Sequence, residues 1–329
     1  MCSSAFSCGP GPALALRQAG GLTVAFIEVA RGVAFMRCAM VNVMAIGDPS
    51  GWVLVDAALG GYAPSIRAAA EARFGAGARP AAIVLTHGHF DHVGSLDDLL
   101  ETWDVPVFAH RLELPYLTGR SPYPPPDPLV GRGSMALLSR LFPRGPIDLG
   151  GRVRMLPADG TVPEAAGWRW IHTPGHTPGH VSLFRDADRT LVSGDAVITT
   201  KQESMTAVIM QRYELHGPPA YFTSDWTSAR QSVRTLAALA PSVIVAGHGQ
   251  PWSGEAMRER LYVLADQFDA VERPHFGRYA AQPAIADESG VLVLPRDTLP
   301  KLLAGLGAMA ATAGLIWTAR TAARRRMAA

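Results

Sequence analysis

Residues 83–94 read IVLTHGHFDHVG, and six consecutive positions of that stretch carry His87, His89, Asp91 and His92 directly after a branched apolar run. Four titratable groups so close would crowd and desolvate one another without compensation. A divalent cation supplies the compensation, because neutral imidazoles and carboxylates are among its ordinary donors. In a loop leaving a strand, His87 and His89 can face one way while Asp91 and His92 face the other. One short segment can then serve two adjacent metal positions. Nitrogen and oxygen donors without thiolate suit zinc, and also iron or manganese.

Three later stretches repeat the device: HTPGHTPGH (172–180), SGDA (193–196) and GHG (247–249). Each is weak alone. Pro and Gly in the first could simply set tight turns, leaving His176 and His180 incidental. Taken with the first stretch, they put a potential ligand at four strand ends, and a buried site needs ligands delivered by separate rigid segments.

The elements that must do the positioning are legible as alternating apolar runs and helical patterns. GWVLVDAAL (51–59), AAIVLTH (81–87) and PVFAH (106–110) read as strands, with helices at 63–74 and 95–103 between them. Residues 111–147 break this rhythm with RSPYPPPDPLVGRG, where no strand ladder can continue, and read as an insertion or lid. Strand patterns resume at 152–157, 168–173, 180–185 and 189–195, and their alternation predicts antiparallel neighbours. A helix at 227–240, a strand at 242–249 and a helix at 254–272 come next. From about residue 273 the pattern is irregular up to a terminal helix.

Composition narrows the possible partners. The chain has 30 basic and 28 acidic residues, but Lys301, Arg320, Arg324, Arg325 and Arg326 all fall in the last 29 positions. Removing those five leaves 25 basic against 28 acidic in residues 1–300, so no basic face for nucleic acid is implied. Cys2, Cys8 and Cys38 are odd in number without CxxC spacing, which argues against a disulfide framework and a thiolate metal site. The apolar run at 13–16 is too short for a signal peptide, so cytoplasmic residence is expected.

Residues 302–319 form an uncharged stretch of 18, half of it Ala or Gly. As a helix it would rise about 27 Å, marginal against a bilayer core of about 30 Å. The arginines after it would hold that end in the cytoplasm and place the main domain outside, with no signal to export it. A helix docked on the domain or on a partner subunit is therefore favoured over a membrane span, with an interfacial anchor between the two. Homo-oligomerisation stays open.

HxHxDH, a following GH, a GD and a late GHG together resemble the metallo-β-lactamase superfamily over roughly residues 25–265. The resemblance implies an α/β fold, a four-layer αββα sandwich with the site at one edge of two sheets. Residues 1–295 would form this domain, with 111–147 inserted, and 296–329 an apolar helix with an Arg-rich end. It further implies that His87, His89 and His176 hold one metal. Asp91, His92 and His248 would hold a second, with Asp195 bridging both, Asp56 supporting the metal loop and His180 a strand residue.

Two divalent ions, zinc before iron or manganese, would generate hydroxide for attack on an acyl carbon. Asp195 would bridge them, and Asp91 would carry the proton to the leaving group. Asp195 stands where β-lactamases of this family place Cys or Ser, which argues against antibiotic hydrolysis. The glutathione-binding stretch of the family's thioesterases is missing after SGDA. Family lactonases carry a Tyr where this chain has Ile198, and Tyr213 or Tyr221 are candidates to replace it. The expected function is hydrolysis of a small acyl ester, lactone or thioester, with a mononuclear iron redox enzyme or a phosphotriesterase as alternatives. Residues 123–128 and 201–222 are the candidate pocket, and Met205, Val208, Ile209 and Met210 favour an apolar acyl substrate.

Overall fold

The computed structural model describes residues 25–297. Two sheets face one another. The first has the order β1 (Ile27–Ala30), β2 (Val33–Cys38), β3 (Val41–Asp48), β4 (Gly51–Val55), β5 (Ala82–Val84), β6 (Val107–Ala109) and β7 (Val153–Met155). The second has the order β12 (Trp252–Ser253), β11 (Val243–Ala246), β10 (Thr190–Gly194), β9 (Val181–Arg185) and β8 (Trp168–His172). Helices α1 (Ala63–Phe74), α2 (Phe90–Val93), α3 (Leu96–Trp103), α4 (Leu114–Leu117) and α5 (Ser134–Leu138) lie along the first half of the chain. Helices α6 (Met205–Met210), α7 (Trp226–Ala238) and α8 (Glu255–Val271) lie along the second.

Side chains alternate across a strand, so each sheet sends one set of residues to its partner sheet and the other to helices. In β4, Val53 and Val55 join Val33, Phe35, Met44, Val181, Leu183, Val192 and Val245 between the sheets. Trp52 and Leu54 turn the other way, against Ile66 and Ala70 of α1 and Leu96, Leu99 and Trp103 of α3. In the second sheet Leu191 and Ile244 turn outward to Trp226, Val233 and Leu236 of α7 and Met257, Leu261 and Phe268 of α8. Three apolar layers thus separate four layers of secondary structure, and the αββα expectation holds.

Strand direction puts the strand ends that matter at one edge. β4 pairs with β5 in parallel, and β10 with β11 in parallel, so the segments leaving the paired strands emerge on the same side. Asp56 comes directly after β4, the HxHxDH stretch after β5, Asp195 after β10 and His248 after β11. Cross-links then fasten the sheets at this edge. Val181 N–H donates to the Thr86 carbonyl at 2.9 Å. Buried Asn42 of β3 donates its side-chain amide to the Ala246 carbonyl at 2.9 Å and the Gly249 carbonyl at 2.6 Å.

Two expectations are corrected. β7, expected among antiparallel neighbours, pairs with β6 in parallel and closes the first sheet, because the 111–147 insertion acts as a crossover between them. That insertion packs on the domain: Tyr116, Leu117, Tyr123 and Met135 are buried. The region beyond 273 is not wholly irregular, since β13 (Ile285–Asp287) and β14 (Gly290–Val293) form a hairpin about Asp287, whose carboxylate accepts the Ser289 N–H. Residues 302–319, Cys2 and Cys8 lie outside the described residues. Among the described residues no helix is long and apolar enough to cross a membrane.

Asn42→Ala leaves the Ala246 and Gly249 carbonyls without that donor. It is expected to cost about 1–3 kcal/mol in urea-unfolding experiments on the metal-free protein. A change below about 0.5 kcal/mol would show that the amide does not fasten the sheets.

Candidate metal centre

Asp56 begins the site. It takes a left-handed φ of 62°, a strained region for a residue with a Cβ, directly after β4. From there its buried carboxylate accepts the Thr86 N–H and the Thr86 hydroxyl, each at 2.8 Å, and faces His92 Nδ1 at 2.8 Å. The carboxylate therefore settles how the chain leaves β5 and leaves the His92 Nε2 lone pair aimed inward. That nitrogen has no hydrogen-bond partner in the structure. His248 is oriented in the same manner, its Nδ1 donating to the Met40 carbonyl at 2.6 Å.

All seven predicted ligands converge. His89 Nδ1 lies 3.1 Å from His87 Nε2 and 3.0 Å from His176 Nε2. On the other side, His248 Nε2 lies 3.1 Å from Asp195 Oδ2 and 3.5 Å from Asp91 Oδ2. Asp195 stands between the groups, with Oδ2 3.4 Å from His176 Nε2 and Oδ1 3.5 Å from His92 Nε2. Three donor sets have their ligand atoms within 4.8 Å of one another: His87, His89 and His176; His87, His92 and Asp195; and Asp91, His92 and His248. Each can hold a metal ion.

The donor chemistry fits a cation. Three imidazole nitrogens that meet at about 3 Å cannot all be satisfied by protons, since each shared N–H leaves the remaining lone pairs opposed. Asp195 Oδ1 and His92 Nε2 are likewise buried without a hydrogen bond, a state that costs free energy unless a cation is shared between them. All seven residues are at most 7% exposed, Asp91 being the most open.

Electrostatics divides the site in two. Burial and the neighbouring imidazoles hold His87 and His89 well below the ordinary imidazole range. Burial lowers His176 to about 4. For His92 and His248 burial pulls the same way, but Asp195 and then the other carboxylates outweigh it and raise both. Burial pushes the Asp91 carboxyl up. Asp195 resists burial because His248 and His92 hold it well below the usual carboxylate range.

His180 joins none of these donor sets. It sits one residue before β9, faces the Thr173 hydroxyl through Nδ1 at 2.8 Å and accepts the Asp195 N–H through Nε2 at 2.9 Å. It thus holds the backbone of Asp195. Aromatic rings wall the site: Tyr123 and Phe222 lie with ring centres 4.5 and 4.6 Å from that of His89. Tyr221 is buried, and burial, then Asp91, Glu203 and Asp195, raise its pKa well above the phenol range. Tyr213 is exposed and packs on Trp252. Ile209 and Met210 face solvent, whereas Val208 is buried. Sequence reasoning missed Glu113 and Asn42, whose neighbours in the chain carry no pattern that marks them, and the role of Thr86 beside His87.

The family model described as Metallo-beta-lactamase superfamily matches residues 36–248. A relative named "Probable metallo-hydrolase YflN" from Bacillus subtilis (strain 168) is 49% identical over 247 residues, covering 74% of this chain and 94% of that one. "Probable metallo-hydrolase YybB" from the same organism is 33% identical over 171 residues, covering 52% of this chain and 65% of that one. Among solved structures, a beta-lactamase domain protein from Burkholderia ambifaria superposes with a TM-score of 0.53 at 22% identity, covering 77% of this chain and 79% of that one.

The carboxylates favour the protonated forms of His92 and His248, with which a cation must compete, whereas burial disfavours the protonated forms of His87, His89 and His176. On acidification, uptake by the metal-free protein is expected to fail first at the Asp91, His92 and His248 set. Calorimetric zinc titrations at about pH 7.5 and pH 5.5 test this order. Uniform weakening of all uptake would contradict it.

Proposed function

Because the chain belongs to the metallo-β-lactamase superfamily, we propose that it is a metal-dependent hydrolase that opens a small acyl ester, lactone or thioester at a dinuclear centre. The observation that carries this reading is the position of Asp195, whose carboxylate lies between a three-histidine set and a set containing Asp91, His92 and His248. His87, His89 and His176 would hold one ion, and Asp91, His92 and His248 the other, with Asp195 shared. Zinc is the expected metal, and the same donors accept iron or manganese.

When bound, a pair of divalent ions supplies a nucleophile from water at neutral pH and an electrophile for the carbonyl oxygen. The residues of the chain do the rest. The three-histidine set is all neutral, so it leaves a dication's charge uncancelled, which suits polarisation of a carbonyl. Asp91, the most exposed of the seven and raised by burial, can take a proton on its carboxyl oxygen and return it to the departing oxygen or sulfur. Tyr123 and Phe222 pack their rings against His89, and Phe142 packs against Phe90 and Phe222; such an aromatic wall would favour an apolar acyl group over a sugar or nucleotide. Since Ile209 and Met210 face solvent, the preference rests on these rings rather than on α6.

The test is a panel of lactones, thioesters, carboxyl esters and phosphotriesters assayed with zinc, manganese and iron, beside metal analysis. Hydrolysis with two equivalents per chain and a preference for apolar acyl groups is expected. His89→Ala should lower kcat/KM by more than about 100-fold, beyond the usual loss from an outer partner, and reduce metal content. One iron per chain without esterase activity overturns the reading. Equal turnover of polar and apolar esters overturns the substrate class alone.

A further inference from the structure

Glu113 lies in a single 3-10 turn between β6 and α4 and is fully buried. Each of its oxygens accepts one backbone N–H and one hydroxyl. Oε2 accepts from Gly88 N at 3.0 Å and from the Tyr123 hydroxyl. Oε1 accepts from Gly179 N and from the Thr177 hydroxyl, each at 2.8 Å. Gly88 separates His87 from His89, and Thr177 comes directly after His176. One carboxylate thus grips both loops that carry the three histidines, and Tyr123 brings the 111–147 insertion to the same point.

The surroundings are shaped for this grip. A Cβ on Gly179 would stand 2.8 Å from Glu113 backbone and side-chain atoms, and one on Gly88 would stand 2.7 Å from the Tyr123 hydroxyl. Only glycine lets either N–H approach. The other donor set has different supports, namely Asp56 behind His92 and the Met40 carbonyl behind His248. Asp56 also holds Thr86, whose hydroxyl faces His87 Nδ1 at 3.1 Å, so that support is shared; the contacts of Glu113 fall only beside His87, His89 and His176.

We propose that Glu113 is a positioning residue that sets the metal affinity of the His87, His89 and His176 half of the centre independently of the other half. The inference rests on the dinuclear reading of the site. Glu113 never touches a substrate; it acts by closing two loops to the spacing at which three imidazoles share one ion. Glutamine cannot replace it. Whichever way the amide turns, its NH2 meets either Gly88 N–H or Gly179 N–H, and two donors face each other.

Full-length protein is stripped of metal and titrated with cobalt(II), with uptake read by visible absorption and calorimetry. The wild type is expected to take two equivalents; if it takes fewer, the dinuclear reading fails, whatever the variant does. Glu113→Gln is expected to keep one equivalent at wild-type affinity and to bind the other about 10–100-fold more weakly, the usual effect of losing an outer-shell partner. Circular dichroism verifies its fold. The double variant Tyr123→Phe/Thr177→Val keeps the carboxylate and both backbone bonds, and is expected to show a smaller loss at the same equivalent. It decides the matter should Glu113→Gln not fold. Unchanged binding of both equivalents, or parallel weakening of both, overturns the proposal.

Discussion

The convergence of His87, His89 and His176 on one point is the constraint that the rest of the molecule satisfies. His89 Nδ1 lies 3.1 Å from His87 Nε2 and 3.0 Å from His176 Nε2 in a place shut off from water. Nothing in the local chain favours this, since opposed lone pairs repel and buried polar groups lose their hydration. Rigid supports must impose it from outside: Glu113 on two loops, Asp56 on a third contact, and two sheets pinned at one edge by Asn42 and the Val181 to Thr86 bond. The three apolar layers supply the stability that lets such a cluster exist.

That edge is built unequally. On one side the imidazoles are neutral because burial and mutual repulsion make their charged forms costly. On the other, carboxylates favour the protonated forms of two imidazoles, with which a cation must compete. Asp195 touches both environments, and His180 fixes its backbone from behind. In the proposed hydrolysis, a half of neutral histidines and a half rich in carboxylate would divide carbonyl activation from leaving-group chemistry.

The fold was legible where one physical signal dominated. The continuous apolar run in 51–55 specified a strand buried on both faces, and the periodicity of 63–74 and 227–240 specified helices that bury one face. β7 was misread because Val153–Met155 is short and half exposed, so its pairing is decided by the 111–147 crossover rather than by its own residues. The hairpin at 285–293 carries exposed Ile285, Leu292 and Val293, and its pattern resembles a loop with scattered apolar residues. Glu113 reads as an ordinary surface acid in RLELPYL; its burial results from the groups that the 172–180 loop and the insertion bring to it.

From its sequence alone the chain determines which chemistry is available: histidines and aspartates at strand ends, in spacings that suit a metal site. These are local properties, because a ligand's identity and its place after a strand belong to its own few residues. Only the tertiary structure decides which ligands share a point, which imidazoles are neutral, and that Glu113, Asn42 and His180 hold them. Those properties depend on distances between segments up to two hundred residues apart in the chain, and burial and electrostatic coupling arise only once the two sheets close on one another.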